Sequence, residues 1–276
     1  MLNPVERPIL VFGHRGARAR RPENTLPGFE YAIAAGADAL ELDVAVTRDN
    51  VVVVSHDPVL NRSICQSPGG SRIIRELTYA ELGRWDCGTL RNRRFPNQLL
   101  APGARIPRLD EVLALAERGG FLFNIEVKCF PDKPALAPDP DRFAELVWHV
   151  VRARQLERRV IVQSFDFRVL EAMRRIAPEV RLAALYVGRP RSLVAIAHRA
   201  GASGVSIVAP HHRLATVRRV RAAHAAGLEV VVWTANRPRD WKRLVRAHVD
   251  GIITDDPAAL LDYLETAGLR AAGRAT

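Results

Sequence analysis

Cysteine is scarce in this 276-residue chain, which has three: Cys65, Cys87 and Cys129. The count is odd, and no CxxC spacing or Cys/His cluster accompanies it. Neither a disulfide framework nor a zinc site is expected on that ground, and Cys129, which follows an expected site strand, reads as a buried or incidental thiol. Also missing is any apolar run near the ~20 residues that span a bilayer. Residues 1–8 lack the basic-then-apolar order of a secretory signal. These two absences point to a cytoplasmic protein, with a processed periplasmic form as the alternative. Nor is there a basic tail or a basic–aromatic repeat, although the formal charge is +11. The excess is largely arginine, dispersed over Arg18, Arg20 and Arg21, then Arg91, Arg93 and Arg94, then Arg218, Arg219 and Arg221. Such a field attracts anions. Its dispersal reads as a solvated basic face rather than a specific nucleic-acid site.

What is present is a chain 48% hydrophobic, with apolar β-rich runs alternating with amphipathic helical patterns. Strands are expected at 9–13, 39–44, 121–127, 160–163, 181–185, 204–208, 229–233 and 251–253. Helical segments end near Gly36, Gly120, Gly201 and Gly227, because glycine takes the left-handed terminating conformation without the steric cost of a Cβ. This βαβα order predicts a parallel sheet covered by helices. About eight strands at this length favour an α/β fold of the TIM (β/α)8 barrel type. An open doubly wound sheet is the structural runner-up. The rhythm breaks between Asp57 and Ile106, a Pro-, Gly- and Arg-rich stretch after the second strand region. Residues 57–106 are expected to be an insertion over the barrel mouth, with Tyr79, Trp85 and Phe95 giving it some packing. The expectation is one barrel domain over 1–268, followed by a frayed tail at 269–276.

Chemistry-bearing residues fall at the C-terminal ends of the expected strands, where barrel active sites assemble. Gly13-His14-Arg15-Gly16 follows the first strand. Arginine offers a permanently charged fork for phosphate, and histidine exchanges protons near neutral pH. Alone, the tetrapeptide also fits an ordinary polar turn. Asn24 or Thr25 can cap the helix that follows. In Glu41-Leu42-Asp43, side chains two apart share one face of a strand. Two carboxylates aimed into a barrel repel each other, and a hard divalent cation relieves that repulsion. Glu126 and Lys128 likewise share a face in Asn124-Ile125-Glu126-Val127-Lys128, which suggests a third metal ligand and a phosphate-binding cation. A buried Glu–Lys structural pair is the competing reading. His56 follows the apolar run 51–55. Two histidines beside a divalent site suit phosphodiester cleavage, one removing a proton and the other protonating the departing alkoxide.

In this order, these motifs resemble the glycerophosphodiester phosphodiesterase family. The resemblance rests on His14-Arg15-Gly16, Pro22-Glu23-Asn24-Thr25, Gly36-Ala37-Asp38, Glu41-Leu42-Asp43-Val44, Thr47-Arg48-Asp49 and His56-Asp57. It continues through Ile106-Pro107-Arg108-Leu109-Asp110-Glu111-Val112, Asn124-Ile125-Glu126-Val127-Lys128, Gln163-Ser164-Phe165, Val232-Trp233-Thr234 and the block from Asp250 to Asp255. The resemblance implies a TIM-type barrel with a family insertion at 57–106. It implies Ca2+ or Mg2+ held by Glu41, Asp43 and Glu126, and His14 and His56 as the acid–base pair. Arg15 and Lys128 would contact the phosphate, and Trp233 would line the substrate pocket. The implied reaction converts a small-molecule glycerophosphodiester to sn-glycerol 3-phosphate and an alcohol such as choline or ethanolamine. Neither a specific nucleic-acid partner nor a transmembrane segment is implied, and oligomeric state stays unassigned. Asn50 stands where the family often has glycine, a turn position that asparagine tolerates. The alternatives are a lysophospholipase-D-like phosphodiesterase and, in a different class, a non-catalytic anion- or nucleic-acid-binding barrel.

Overall fold

A computed structural model of the chain describes residues 8–188, 193–199 and 204–271. The expected helix end at Gly201 and residues 272–276 of the expected frayed tail lie outside the described residues. Arg270, within that tail, donates to both carboxylate oxygens of Asp38, at 2.6 and 2.8 Å.

In chain order the strands are β1 (Leu10–Gly13), β2 (Ala39–Val46), β3 (Val52–Val54), β4 (Leu122–Val127), β5 (Val160–Ser164), β6 (Arg181–Tyr186), β7 (Ile207–Pro210), β8 (Glu229–Val232) and β9 (Gly251–Thr254). All but β3 run parallel, in the order β1-β9-β8-β7-β6-β5-β4-β2, and the β1–β2 pairing closes the ring. The architecture is the expected closed eight-stranded parallel barrel with helices between strands. β7 lies slightly later than the 204–208 expected, because pairing with β6 begins at Ile207 opposite Ala183. The run ending at Ser55 becomes β3, which folds back antiparallel on β2. Asn50, at φ 60°, makes the left-handed turn that this reversal needs.

Alternation along each strand separates two apolar layers. Leu40, Leu42, Val44, Ile125 and Val127 point outward into the layer beneath the helices and are 0–1% exposed. Phe12, Ala39, Ile161, Leu185, Val231 and Ile253 fill the barrel interior. The outer layer packs against helices such as α1 (Leu26–Ala34), which buries Phe29 and Ala32 and is capped by Thr25. Truncating a residue such as Leu42 to alanine would cost about 2–5 kcal/mol through lost burial and an unfilled cavity.

Two glycines decide whether the β1 loop fits. A Cβ on Gly13 would lie 2.2 Å from the Gly16 carbonyl oxygen, and Gly16 sits at φ +84° with the α1 backbone 2.7 Å from where its Cβ would be. Only glycine lets His14 and Arg15 turn this tightly against α1.

The insertion has its own small core, containing Leu60, Ile74, Leu82, Trp85 and Ile106. It includes the short helix α2 (Tyr79–Leu82), whose Thr78 and Glu81 form a capping box. Within it Cys65 and Cys87 form a disulfide, which corrects the expectation that no disulfide forms. The odd count arises from Cys129, which remains free. The pairing follows from the insertion folding back on itself, with Gln66 and Asp86 exchanging backbone hydrogen bonds, and cysteine spacing carries no signal for that. Gln98 donates to the backbone oxygens of Arg18 and Arg21, at 2.8 and 2.9 Å, tying the insertion to the loop that carries His14.

Candidate active site

Strand register gathers the carboxylates. Parallel pairing of β2 with β4 sets Asp43 opposite Glu126, and Glu41 lies two residues before Asp43 on the same face. Ligand oxygens of Glu41, Asp43 and Glu126 all lie within 4.8 Å of one another, and the three residues are at most 7% exposed. The geometric expectation of a convergent acidic triad from two strands is met.

The triad's electrostatics suit a cation. Burial pushes Glu41 well above the usual carboxylate range, with Asp43 and Glu126 adding repulsion. Burial likewise carries Glu126 to about 7, against the opposing charge of Lys128. Burial would also raise Asp43, but Lys128, Arg15 and His56 together hold it well below its ordinary value. Glu126 Oε1 is buried and accepts no hydrogen bond, although Lys128 Nζ lies 3.4 Å away. A buried oxygen without a donor, among hard anionic neighbours, is what a hard divalent cation would satisfy. The residues present therefore fit such an ion.

The flanking residues are held rigidly. Arg15 donates its backbone N–H to Glu41 Oε2 at 2.9 Å and pairs through its guanidinium with Glu23 at 2.6 Å and Asp43 at 3.4 Å. Lys128 Nζ is 2.8 Å from Asp43 Oδ1. Asn24, considered as a cap, instead donates to Asp43 Oδ2 at 3.0 Å, while Thr25 caps α1. Gln163 donates to Glu41 Oε1 at 3.1 Å and accepts from Asn124.

His14 Nδ1 lies 2.5 Å from Asp255 Oδ1, and its Nε2 is 4.0 Å from Glu41 Oε2. Asp255 is held in turn by Asn236, which donates to Oδ2 at 2.7 Å and accepts the Asp255 backbone N–H at 2.8 Å. Burial lowers the His14 pKa, against the opposing pull of Asp255. His56 reaches the site because Ser55 donates its backbone N–H to the Asp43 carbonyl, and its Nδ1 lies 2.7 Å from Asp57 Oδ1. Both histidines line one cavity of about 340 Å³ with Arg15, Glu41, Glu126 and Lys128. Trp233 lines the same cavity, its indole N–H bonded to the Ala209 carbonyl and its ring edge-on to Phe165 and His211.

Sequence reasoning gave no site role to Asp255, Asn236 or Gln163, and saw Asn24 only as a candidate helix cap. The available signal for Asp255 was its position one residue past β9. β9 is the neighbour of β1 in a closed ring, and Gly13 pairs with Thr254.

The sequence profile of the Glycerophosphoryl diester phosphodiesterase family matches residues 14–259. The chain is 32% identical over 259 residues to a glycerophosphodiester phosphodiesterase of Caldanaerobacter subterraneus subsp. tengcongensis, covering 94% of this chain and 99% of that one. A solved structure described as a "putative glycerophosphoryl diester phosphodiesterase", from Silicibacter pomeroyi DSS-3, superposes with a TM-score of 0.87 at 34% identity, covering 96% of each chain. An Oleispira antarctica phosphodiesterase, solved with its product sn-glycerol-3-phosphate, shares the fold at a TM-score of 0.79 and 22% identity, covering 94% of this chain and 97% of that one. With profile, relative and structure in agreement over nearly the whole chain, this protein belongs to the glycerophosphoryl diester phosphodiesterase family of phosphodiester hydrolases.

Proposed function

We propose that the protein hydrolyses glycerophosphodiesters to sn-glycerol 3-phosphate and an alcohol, with His14 and His56 as the acid–base pair. The carrying observation is the meeting of Glu41, Asp43 and Glu126 beneath a cavity that both histidines line. The product bound in the Oleispira antarctica relative supports the same product here. Glu41, Asp43 and Glu126 would hold a divalent cation, Ca2+ or Mg2+, in keeping with their all-oxygen donor set. When bound, that ion neutralises charge on the phosphoryl oxygens.

The remaining steps belong to the chain's own residues. Arg15 and Lys128, both in the cavity wall, hold the phosphate and oppose its charge. Asp255 fixes the proton of His14 on Nδ1, leaving the Nε2 lone pair facing the triad. Burial lowers the His14 pKa and so favours the neutral imidazole, the state a general base needs. His14 accepts the proton of the nucleophile, either water or the substrate's neighbouring hydroxyl. His56, steadied by Asp57, gives a proton to the departing alkoxide. Trp233 and Phe165 offer an apolar wall for the carbon skeleton.

The test is release of glycerol 3-phosphate from glycerophosphocholine and glycerophosphoglycerol, with and without chelator, followed by Ca2+ or Mg2+ add-back. Chelator-resistant turnover would remove the cation from the proposal, and absence of turnover under all conditions would remove the activity. The Cys65–Cys87 disulfide favours an oxidising compartment over the cytoplasm. Thiol titration of protein isolated without reductant tests this, with one reactive thiol per chain expected after denaturation.

A further inference from the structure

Four cationic side chains line the active-site cavity, and they are unequally neutralised: Arg15, Arg18, Arg94 and Lys128. Lys128 has Asp43 and Glu126, at 2.8 and 3.4 Å. Arg15 has Glu23 and Asp43, at 2.6 and 3.4 Å. Arg18 has only a share of what remains. It reaches Glu23 at 3.0 Å, which Arg15 already engages, and lies 3.8 Å from Asp255 Oδ1, which already engages His14. The Arg18 side chain is 9% exposed, and its Nε, like that of Arg15, is buried without a hydrogen-bond acceptor. Burial lowers its pKa, Glu23 opposes that, and the charges of Arg15 and Arg94 add to the lowering. A guanidinium stays charged regardless, so Glu23 and Asp255 offset its burial only in part.

Arg94 deepens the imbalance. It is an exposed residue of the insertion, and among the described residues no carboxylate pairs with it. The Arg18 and Arg94 guanidinium carbons lie 5.0 and 5.9 Å from the centre of the same Phe95 ring. Phe95 offers each a cation–π contact, but like charges gathered at one ring repel until an anion joins them. The buried Arg15 and the half-buried Lys128 flank the carboxylate triad, where the reacting phosphate would sit. Arg94 lines the same cavity from an exposed position on the insertion, within reach of a leaving group that extends outward.

We propose that Arg18 and Arg94 form a leaving-group subsite that selects alcohols carrying an anionic group of their own, a phosphomonoester or a carboxylate, over cationic alcohols such as choline. The subsite rests on the hydrolase reading given above and specifies its substrate class. Gln98 braces it by holding the Arg18 carbonyl, so the insertion that supplies Arg94 also positions Arg18.

The experiment compares kcat/KM for four diesters at low and physiological salt: glycerophosphocholine, glycerophosphoglycerol, glycerophosphoserine and glycerophosphoinositol 4-phosphate. The enzymes are the parent and its Arg94→Gln and Arg94→Glu variants, loaded with Mg2+ or Ca2+. The parent is expected to favour the phosphomonoester or carboxylate substrate over glycerophosphocholine by about tenfold, the scale of one or two exposed charge contacts. The better of these two substrates identifies which anion the subsite takes. Arg94→Glu is expected to shrink the ratio by about tenfold, Arg94→Gln by less, and added salt should narrow it in the parent. Equal or greater efficiency on glycerophosphocholine overturns the subsite while leaving the hydrolase reading intact. An equal loss on all four substrates in the Arg94 variants also overturns it, because the arginine then serves the shared part of the substrate. No hydrolysis of any diester by the parent overturns the hydrolase reading and the subsite together.

Discussion

Replacing Glu126 with glutamine should stabilise the metal-free protein at alkaline pH and have little effect at acidic pH. Glutamine nearly matches the shape of a protonated glutamate, so the difference isolates the buried charge. Burial carries the Glu126 pKa from its ordinary 4.5 to about 7, which corresponds to about 3 kcal/mol of penalty on the ionised form. A carboxyl whose folded pKa is raised contributes stability below its unfolded pKa, near 4.5. That contribution disappears as pH rises through about 7. At pH 8 the parent therefore bears nearly the whole penalty, and at pH 5 about 1 kcal/mol or less. Lys128 loses one partner in the variant but keeps Asp43 at 2.8 Å, so about 3 kcal/mol is an upper bound. For a chain of this size the Tm gain at pH 8 is roughly 5 °C at most. Thermal unfolding in chelator at pH 5 and pH 8 measures it, and adding Ca2+ or Mg2+ should raise the parent's Tm and not the variant's. A variant equally or less stable than the parent at both pH values would show that Glu126 is not a strained buried anion, and the electrostatic case for a cation would fail with it.

Four further outcomes follow from the same geometry. His14→Ala and His56→Ala are each expected to abolish turnover with folding intact by circular dichroism, and near-normal activity in either removes that histidine from the mechanism. Asp255→Ala, which frees the His14 ring, should lower kcat by roughly 10²- to 10⁴-fold with a smaller change in KM; a change confined to KM would assign Asp255 to substrate binding instead. Metal affinity measured calorimetrically should fall as pH drops below about 7, because Glu41 and Glu126 must lose protons to bind; pH-independent affinity across 5.5–8 would contradict this. Reducing Cys65–Cys87 or replacing Cys65 with alanine should free the insertion for proteolysis between 57 and 106, with a stability loss of about 3 kcal/mol for a loop of this length; unchanged protease resistance would show that the small core holds the insertion alone.

The barrel was legible because its code is local. Apolar runs, helical periodicity and terminating glycines each act within a few residues, and they placed the eight parallel strands to within a few positions. The acidic face of β2 was legible for the same reason, since a strand's two-residue period puts Glu41 and Asp43 on one side. β3 escaped strand assignment because the three residues Val52–Val54 are too short for a clear pattern. The disulfide was misjudged because an odd cysteine count says nothing about which pair a folded insertion brings together. Asp255 was overlooked because its meaning depends on ring closure, 241 residues away from His14.

By itself, then, the order of residues determined the alternation of strands and helices and the inward aim of the acidic side chains, because backbone conformation and side-chain periodicity are properties of neighbouring residues. Tertiary structure alone decided the β1–β9 contact that orients His14, the Cys65–Cys87 pairing, and the gathering of Arg18 and Arg94 over Phe95. Those depend on which distant segments meet in space, and long-range packing, not local preference, sets that.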